Sequence, residues 1–442
     1  MMKRTFFWLF LLLLLAVAGI AAYGYFLGDA QTASDVSARI KGDIATDITA
    51  EIAQGEYLAR AGNCIGCHTA RGGAAYAGGR VIQSEFGDFV APNITSDKET
   101  GIGNWTADDF WRALHNGKSK NGRMLYPAFP YVNYSKITRA DSDAMFAYFK
   151  TVSAVPRANQ QHNLRFPYNQ RFLLAFWRAL YFRPEVYQEQ PQQSTVWNRG
   201  AYLVTGLAHC SACHSSRNVL GANGGSQDLS GGELAVINWY APSLVSKEEA
   251  GLAHLQASQV QALLRSGVSD KAAVFGPMAE VVAGSLQYLS EADISAMSTY
   301  LQVLSQTKTA TPDMLDNALA APAAGKEEMA RIMAQGGNLY KSHCSDCHAE
   351  DGSGVTGIYP ALKGNRNLQM QNVANPLRII LAGGFAPATK ANPRPYGMPP
   401  FGPALSDDEV ALVLSYIRNA WGNQGTLISA AAVNPYRTAP LD

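Results

Sequence analysis

Three times in 442 residues the chain spells Cys-x-x-Cys-His: Cys64-Ile65-Gly66-Cys67-His68, Cys210-Ser211-Ala212-Cys213-His214 and Cys344-Ser345-Asp346-Cys347-His348. These runs use all six cysteines. Composition alone would produce roughly 0.001 such runs by chance. The spacing answers a chemical need. Two thiols add across the two vinyl groups of one porphyrin, so they must stand about one helical turn apart, and the adjacent histidine is then aimed at the iron. A secreted disulfide framework would scatter its cysteines through loops with no histidine behind each pair. A thioredoxin-like redox pair would occur once. A zinc site could use two pairs and would strand the third. The motifs therefore predict three covalently bound haem c groups, held by Cys64 and Cys67, Cys210 and Cys213, and Cys344 and Cys347. His68, His214 and His348 are the predicted axial ligands. No cysteine remains for a disulfide or a catalytic thiol.

The N-terminus constrains where this chemistry takes place. Lys3 and Arg4 precede an uncharged run from Phe6 to Leu27, 22 residues and long enough to span a bilayer as a helix. Residues 1–30 read as a retained anchor or a removed secretory signal. Either reading puts the remainder outside the cytoplasm, because the two basic residues stay behind. Lys plus Arg is 36 against 35 Asp plus Glu, so no basic excess points to nucleic acid.

The motifs recur at intervals of 146 and 134 residues, and each interval reads as one repeat. A Gly-containing helical segment leads into each motif: Gly55-Glu56-Tyr57-Leu58, Gly200-Ala201-Tyr202-Leu203 and Gly337-Asn338-Leu339-Tyr340. An amphipathic helix with an acidic first turn closes each repeat. The third starts at Ser406 with Glu409 three residues on, a capping box, and continues through Val410, Val413, Leu414, Ile417 and Trp421. The second starts at Ser290 with Asp293, and the first at about Thr138 with Asp141. Tyr148, Tyr300 and Tyr416 on these helices are expected to pack on the Gly-containing helices, where a missing side chain allows close approach.

Taken together, the order helix, Cys-x-x-Cys-His, loop with a methionine, terminal helix resembles the class I cytochrome c domain. Ala91-Pro92-Asn93-Ile94-Thr95, Leu125-Tyr126-Pro127-Ala128-Phe129-Pro130-Tyr131 and Ser415-Tyr416-Ile417-Arg418-Asn419-Ala420-Trp421 carry the likeness further. They resemble the three-haem cytochrome c subunit of membrane-bound bacterial dehydrogenases that oxidise alcohols, aldehydes or sugar acids. The resemblance implies an all-α fold of three tandem class I cytochrome c domains after the N-terminal helix. Their expected bounds are 50–155, 194–306 and 326–424, with linkers 156–193 and 307–325 and a tail 425–442. Within the first linker, the aromatic segment Phe172 to Phe182 is expected to pack between cytochrome domains. The resemblance also implies that Pro92, Pro242 and Pro360 offer carbonyls to the proximal histidines.

A thioether at the sixth position stabilises ferrous iron. Met398, 50 residues after His348, and Met278, 64 after His214, are the expected ligands, each beside proline in a loop-like stretch. The first repeat departs from the pattern, with Phe129 where the family often has methionine. Met124, 56 residues after His68, is the choice by spacing, with a five-coordinate iron or His115 as alternatives. His209 and His343 precede their motifs directly and are expected on helices, away from iron.

The chain shows no Gly-x-Gly-x-x-Gly after a strand and no free nucleophile, so it is not expected to be an enzyme by itself. The expected role is electron transfer from a dehydrogenase catalytic subunit to a quinone or another cytochrome, on the periplasmic side of the inner membrane. The partner's cofactor is open among pyrroloquinoline quinone, flavin and molybdenum. A terminal-oxidase cytochrome subunit and a haem peroxidase-like enzyme are the alternatives.

Overall fold

A computed structural model describes residues 2–27, 29, 48–270, 272–307 and 325–438. The linker expected at 307–325 lies, apart from its ends, outside the described residues. The chain packs as two compact units. One comprises residues 1–191, 202–212 and 218–227, and the other 192–201, 213–217 and 228–442.

The first unit opens with helix α1, Met2–Phe26, apolar throughout its length from Thr5. Helix α2, Ile48–Ala61, leads into the short helix α3, Cys64–His68, which holds the first motif. A loop follows with a three-stranded antiparallel sheet that an all-α reading does not contain. Strand β1, Val81–Ser84, turns through two residues into β2, Gly87–Val90, which pairs with Asn163–Leu164. Helix α4, Ala107–Asn116, starts at a capping box of Thr106 and Asp109 and ends on Gly117 at φ 59. Helix α5, Arg139–Thr151, starts with Thr138 accepting from the Asp141 N–H, as expected. It crosses α2 where the glycine allows it. A Cβ on Gly55 would strike the Ala144 carbonyl and stand 2.9 Å from Tyr148 Cβ.

The aromatic segment of the first linker forms helix α6, Leu174–Tyr181, preceded by a 3-10 turn. It packs chiefly on α1, and Trp177 Nε1 also donates to Leu220 O at 3.0 Å. Gly24 of α1 provides the reason: it brings the two backbones together at Ala175 and Ala179.

In the second unit the same crossing occurs twice more. Helix α7, Thr195–Tyr202, meets α8, Glu291–Thr307, with a Cβ on Gly200 striking the Ala296 carbonyl. Helix α9, Lys326–His343, meets α10, Asp407–Asn419, where a Cβ on Gly336 would strike the Leu412 carbonyl. The contact residue is Gly336; Gly337 faces the Tyr416 ring at 3.2 Å. The Ser406–Glu409 capping box is present. Trp421 is not a continuation of α10. It lies beyond the helix end at φ 57 and packs edge-on against Tyr340. The tail is not a free extension either. It forms helix α11, Ala430–Arg437, with Ala432 and Val433 buried, and Arg437 donates to the Gly402 and Leu405 carbonyls.

Candidate haem-binding sites

Each motif presents its histidine in the same way. His68 Nδ1 donates to the Pro92 carbonyl at 2.8 Å, His214 Nδ1 to Pro242 at 2.7 Å, and His348 Nδ1 to Pro360 at 3.0 Å. The bond fixes the ring and its tautomer, which leaves Nε2 as the unprotonated acceptor. Nε2 of these rings has no hydrogen-bond partner among the described residues. Burial holds all three imidazoles below the usual histidine range, partly offset by the proline carbonyls, so the rings are neutral as iron ligation requires. All six cysteines are free of disulfides. Burial, with Cys67 alongside, pushes the Cys64 thiol up to about 12, and Cys344 rises to about 11 in the same way. Paired thiols free of disulfides beside an imidazole with Nε2 as acceptor suit thioether attachment of a porphyrin. Among the described residues no cluster of three or more His, Cys, Asp or Glu is assembled for a metal ion.

A second repeated contact holds each proline in place, and motif reading missed it. Gly78, Gly231 and Gly354 donate their N–H to the carbonyls of His68, His214 and His348 at 2.8, 2.9 and 2.9 Å. All three have positive φ, 74°, 96° and 64°. A Cβ on Gly78 would stand 2.5 Å from the Pro92 carbonyl carbon, and on Gly354 2.8 Å from that of Pro360. On Gly231 it would stand 2.9 Å from the amide of Ser243, next to Pro242. Only glycine fits so strained and so crowded a place. These glycines follow their histidines by 10, 17 and 6 residues, an irregular spacing that no repeat search would align.

The methionines are placed differently from one another. Met398 lies in a two-residue strand, Gly397–Met398, paired with Gly384–Phe385. It packs half-buried on the same apolar cluster as Cys344. Met278 is not in a loop: it is the third residue of the helix Gly276–Gly284, whose Gly276 lies under the Trp239 ring. Met124 is buried among Phe89, Tyr126, Leu174 and Ala175, with Ala21 of α1 against that cluster. Phe129, by contrast, packs on Tyr134 with ring centroids 5.2 Å apart, and the Tyr134 hydroxyl donates to Gly62 O, two residues before the first motif.

The other histidines have structural work. His115 is buried, stacked on Trp111, and donates from Nδ1 to Ser135 O at 2.9 Å. His209 follows a π-helical turn, Leu203–Leu207, and is not itself helical; at φ 41 its Nε2 lies 3.3 Å from Gly62 O. His343 ends α9 with its ring 5.9 Å from Phe401. His162 Nδ1 accepts from the Val90 N–H.

The cytochrome c family profile matches residues 52–153 and 333–421. The cytochrome c subunit of gluconate 2-dehydrogenase from Pantoea cypripedii is 36% identical over 386 residues, 84% of this chain and 86% of that protein. The cytochrome c subunit of alcohol dehydrogenase (quinone) from Gluconobacter oxydans is 36% identical over 399 residues, 88% and 82% of the two chains. The fructose dehydrogenase cytochrome subunit of Gluconobacter japonicus is 34% identical over 406 residues, 87% and 82%. Likeness that runs through most of both chains, and not through a single haem motif, makes this protein a member of the family of dehydrogenase cytochrome c subunits, electron-transfer proteins with covalently bound haem c.

Proposed function

We propose that this chain carries three haem c groups, takes electrons from a dehydrogenase catalytic subunit and delivers them to a quinone or another cytochrome. It does so on the periplasmic side of the inner membrane, which α1 crosses. The observation that carries this reading is the histidine–proline carbonyl bond, made three times with the same atoms.

Bound haem supplies reversible one-electron chemistry at its iron. The chain supplies the rest. Cys64 and Cys67, Cys210 and Cys213, and Cys344 and Cys347 would tether the porphyrins, and His68, His214 and His348 would bind the irons. Met278 and Met398 would supply thioethers to the second and third sites, where a thioether stabilises ferrous iron. At the first site the spacing names Met124. The enclosure of its side chain in the Phe89–Leu174 cluster favours the alternative, in which the first iron would keep one position open.

Intact-protein mass and a pyridine haemochrome assay test the count. Three haems per chain are expected, and two after Cys210→Ala with Cys213→Ala. Two haems in the unaltered chain, or no change in the double variant, would contradict it.

A further inference from the structure

Residues 163–184 take no part in holding haem, yet they are unusual for a surface segment. They carry four arginines, Arg165, Arg171, Arg178 and Arg183, and no carboxylate. One face of α6 is pinned to the end of α1. Gly24 meets Ala175 backbone to backbone. The buried Arg178 guanidinium donates to Gly24 O at 2.9 Å and to Leu27 O at 3.0 Å, carbonyls that a helix end leaves without intrahelical partners. Beside it the buried Lys118 pairs with Asp29 at 2.8 Å and lies 4.3 Å over the Tyr25 ring.

The other side of the segment faces out. Phe166, Phe172 and Leu180 are 79%, 63% and 61% exposed. Phe172, Phe176 and Leu180 stand four residues apart, so they form one stripe along the helix. Exposed Arg165 and Arg183 flank it. Aqueous surfaces seldom leave such a patch open. Its position explains it. From Phe6 to Gly24 is about 27 Å at about 1.5 Å per residue, against a hydrocarbon thickness of about 30 Å. The point where α6 meets α1 therefore falls at the outer edge of a bilayer that α1 spans. Aromatic rings and arginines are the side chains suited to that layer and to its anionic headgroups.

We propose that residues 165–183 form a second membrane contact, with Phe166, Phe172 and Leu180 entering the headgroup layer of the bilayer that α1 crosses. The inference rests on α1 being a membrane span. It adds that the first haem domain lies against the lipid surface and does not hang from a tether.

The test uses the full-length haem-loaded protein in nanodiscs of phosphatidylcholine and phosphatidylglycerol. The photocrosslinking residue p-benzoylphenylalanine replaces Phe10, Phe172, Leu180 or exposed Lys98, one at a time. These positions are on the surface, so haem content matching the unaltered protein is required of each variant and expected. Illumination and mass spectrometry should find lipid adducts from positions 10, 172 and 180 and none from 98. Lipid adducts from position 10, with none or only chain-to-chain adducts from 172 and 180, would overturn the second contact and leave the span standing. No lipid adduct from position 10 would remove the span and the proposal with it.

Discussion

A methionine opposite a haem-ligating histidine and a methionine inside an apolar cluster respond differently to the same substitution. Met398→Leu removes a thioether and keeps most of the volume. The midpoint potential of one haem should fall while the others hold, as read by spectroelectrochemical titration. Met124→Leu should leave the spectrum unchanged and cost less than about 1.5 kcal/mol in thermal unfolding, as a volume-conserving core change does. Loss of one low-spin haem in that variant would make Met124 a ligand after all. Spacing alone could not separate these cases, because 56 residues from His68 is as suitable as 50 or 64 from the others. The neighbours of Met124 come from β2, α6 and α1, which are distant in sequence.

Glu249 shows how a residue with no motif reaches a site. Its carboxylate accepts from the Ser243 N–H at 2.6 Å and the Tyr240 hydroxyl at 2.9 Å, beside the Pro242 carbonyl that orients His214. Burial raises it above the usual carboxylate range against the pull of those donors. The folded state therefore holds the proton more tightly than the unfolded chain. The stability so contributed is fully present below the usual carboxylate pKa and is lost as pH rises through the raised value. Glu249→Gln should flatten the thermal midpoint across that window. An unchanged slope would show that Glu249 does not titrate there.

At the scale of elements, the repeat was largely legible. Glycine before the motif and tyrosine on the closing helix announced a close crossing, and it occurs at Gly55, Gly200 and Gly336. Gly200→Ala should destabilise the protein by about 1–3 kcal/mol, because a methyl group there meets a backbone carbonyl that cannot turn aside. Gly337→Ala, facing the edge of a movable ring at 3.2 Å, should cost clearly less. Comparable losses by thermal unfolding would show that the crossing is not set by backbone contact. The Ser406–Glu409 capping box was legible for the same reason, being local in sequence. The sheet beside Phe89, the π-helical turn before the second motif and the helix in the tail were not. Each depends on partners far along the chain, and short strands of two to four residues carry too little alternation to read.

At the scale of the whole molecule, Cys213 and His214 of the second motif lie in the same unit as the third motif, and in that unit Asn375 and Tyr240 exchange two hydrogen bonds across 135 residues. The cofactor class could be read from five-residue motifs, and the family from those motifs together with the stretches around Pro92, Tyr126 and Trp421. The packing of α6 on α1 could not, because it follows from Arg178 and Gly24, which are separated by more than 150 residues. The central claim is that electrons from an organic substrate pass through this chain. It is tested most directly by mild detergent extraction from membranes, identification of the subunits that accompany the chain, and anaerobic addition of gluconate, ethanol or fructose while the haem α-band is recorded. The account predicts a large dehydrogenase subunit in the preparation and reduction of the haems by one of these substrates or a close chemical relative. A chain that purifies alone, stays oxidised with every such substrate and changes its spectrum only with cyanide or peroxide would contradict it.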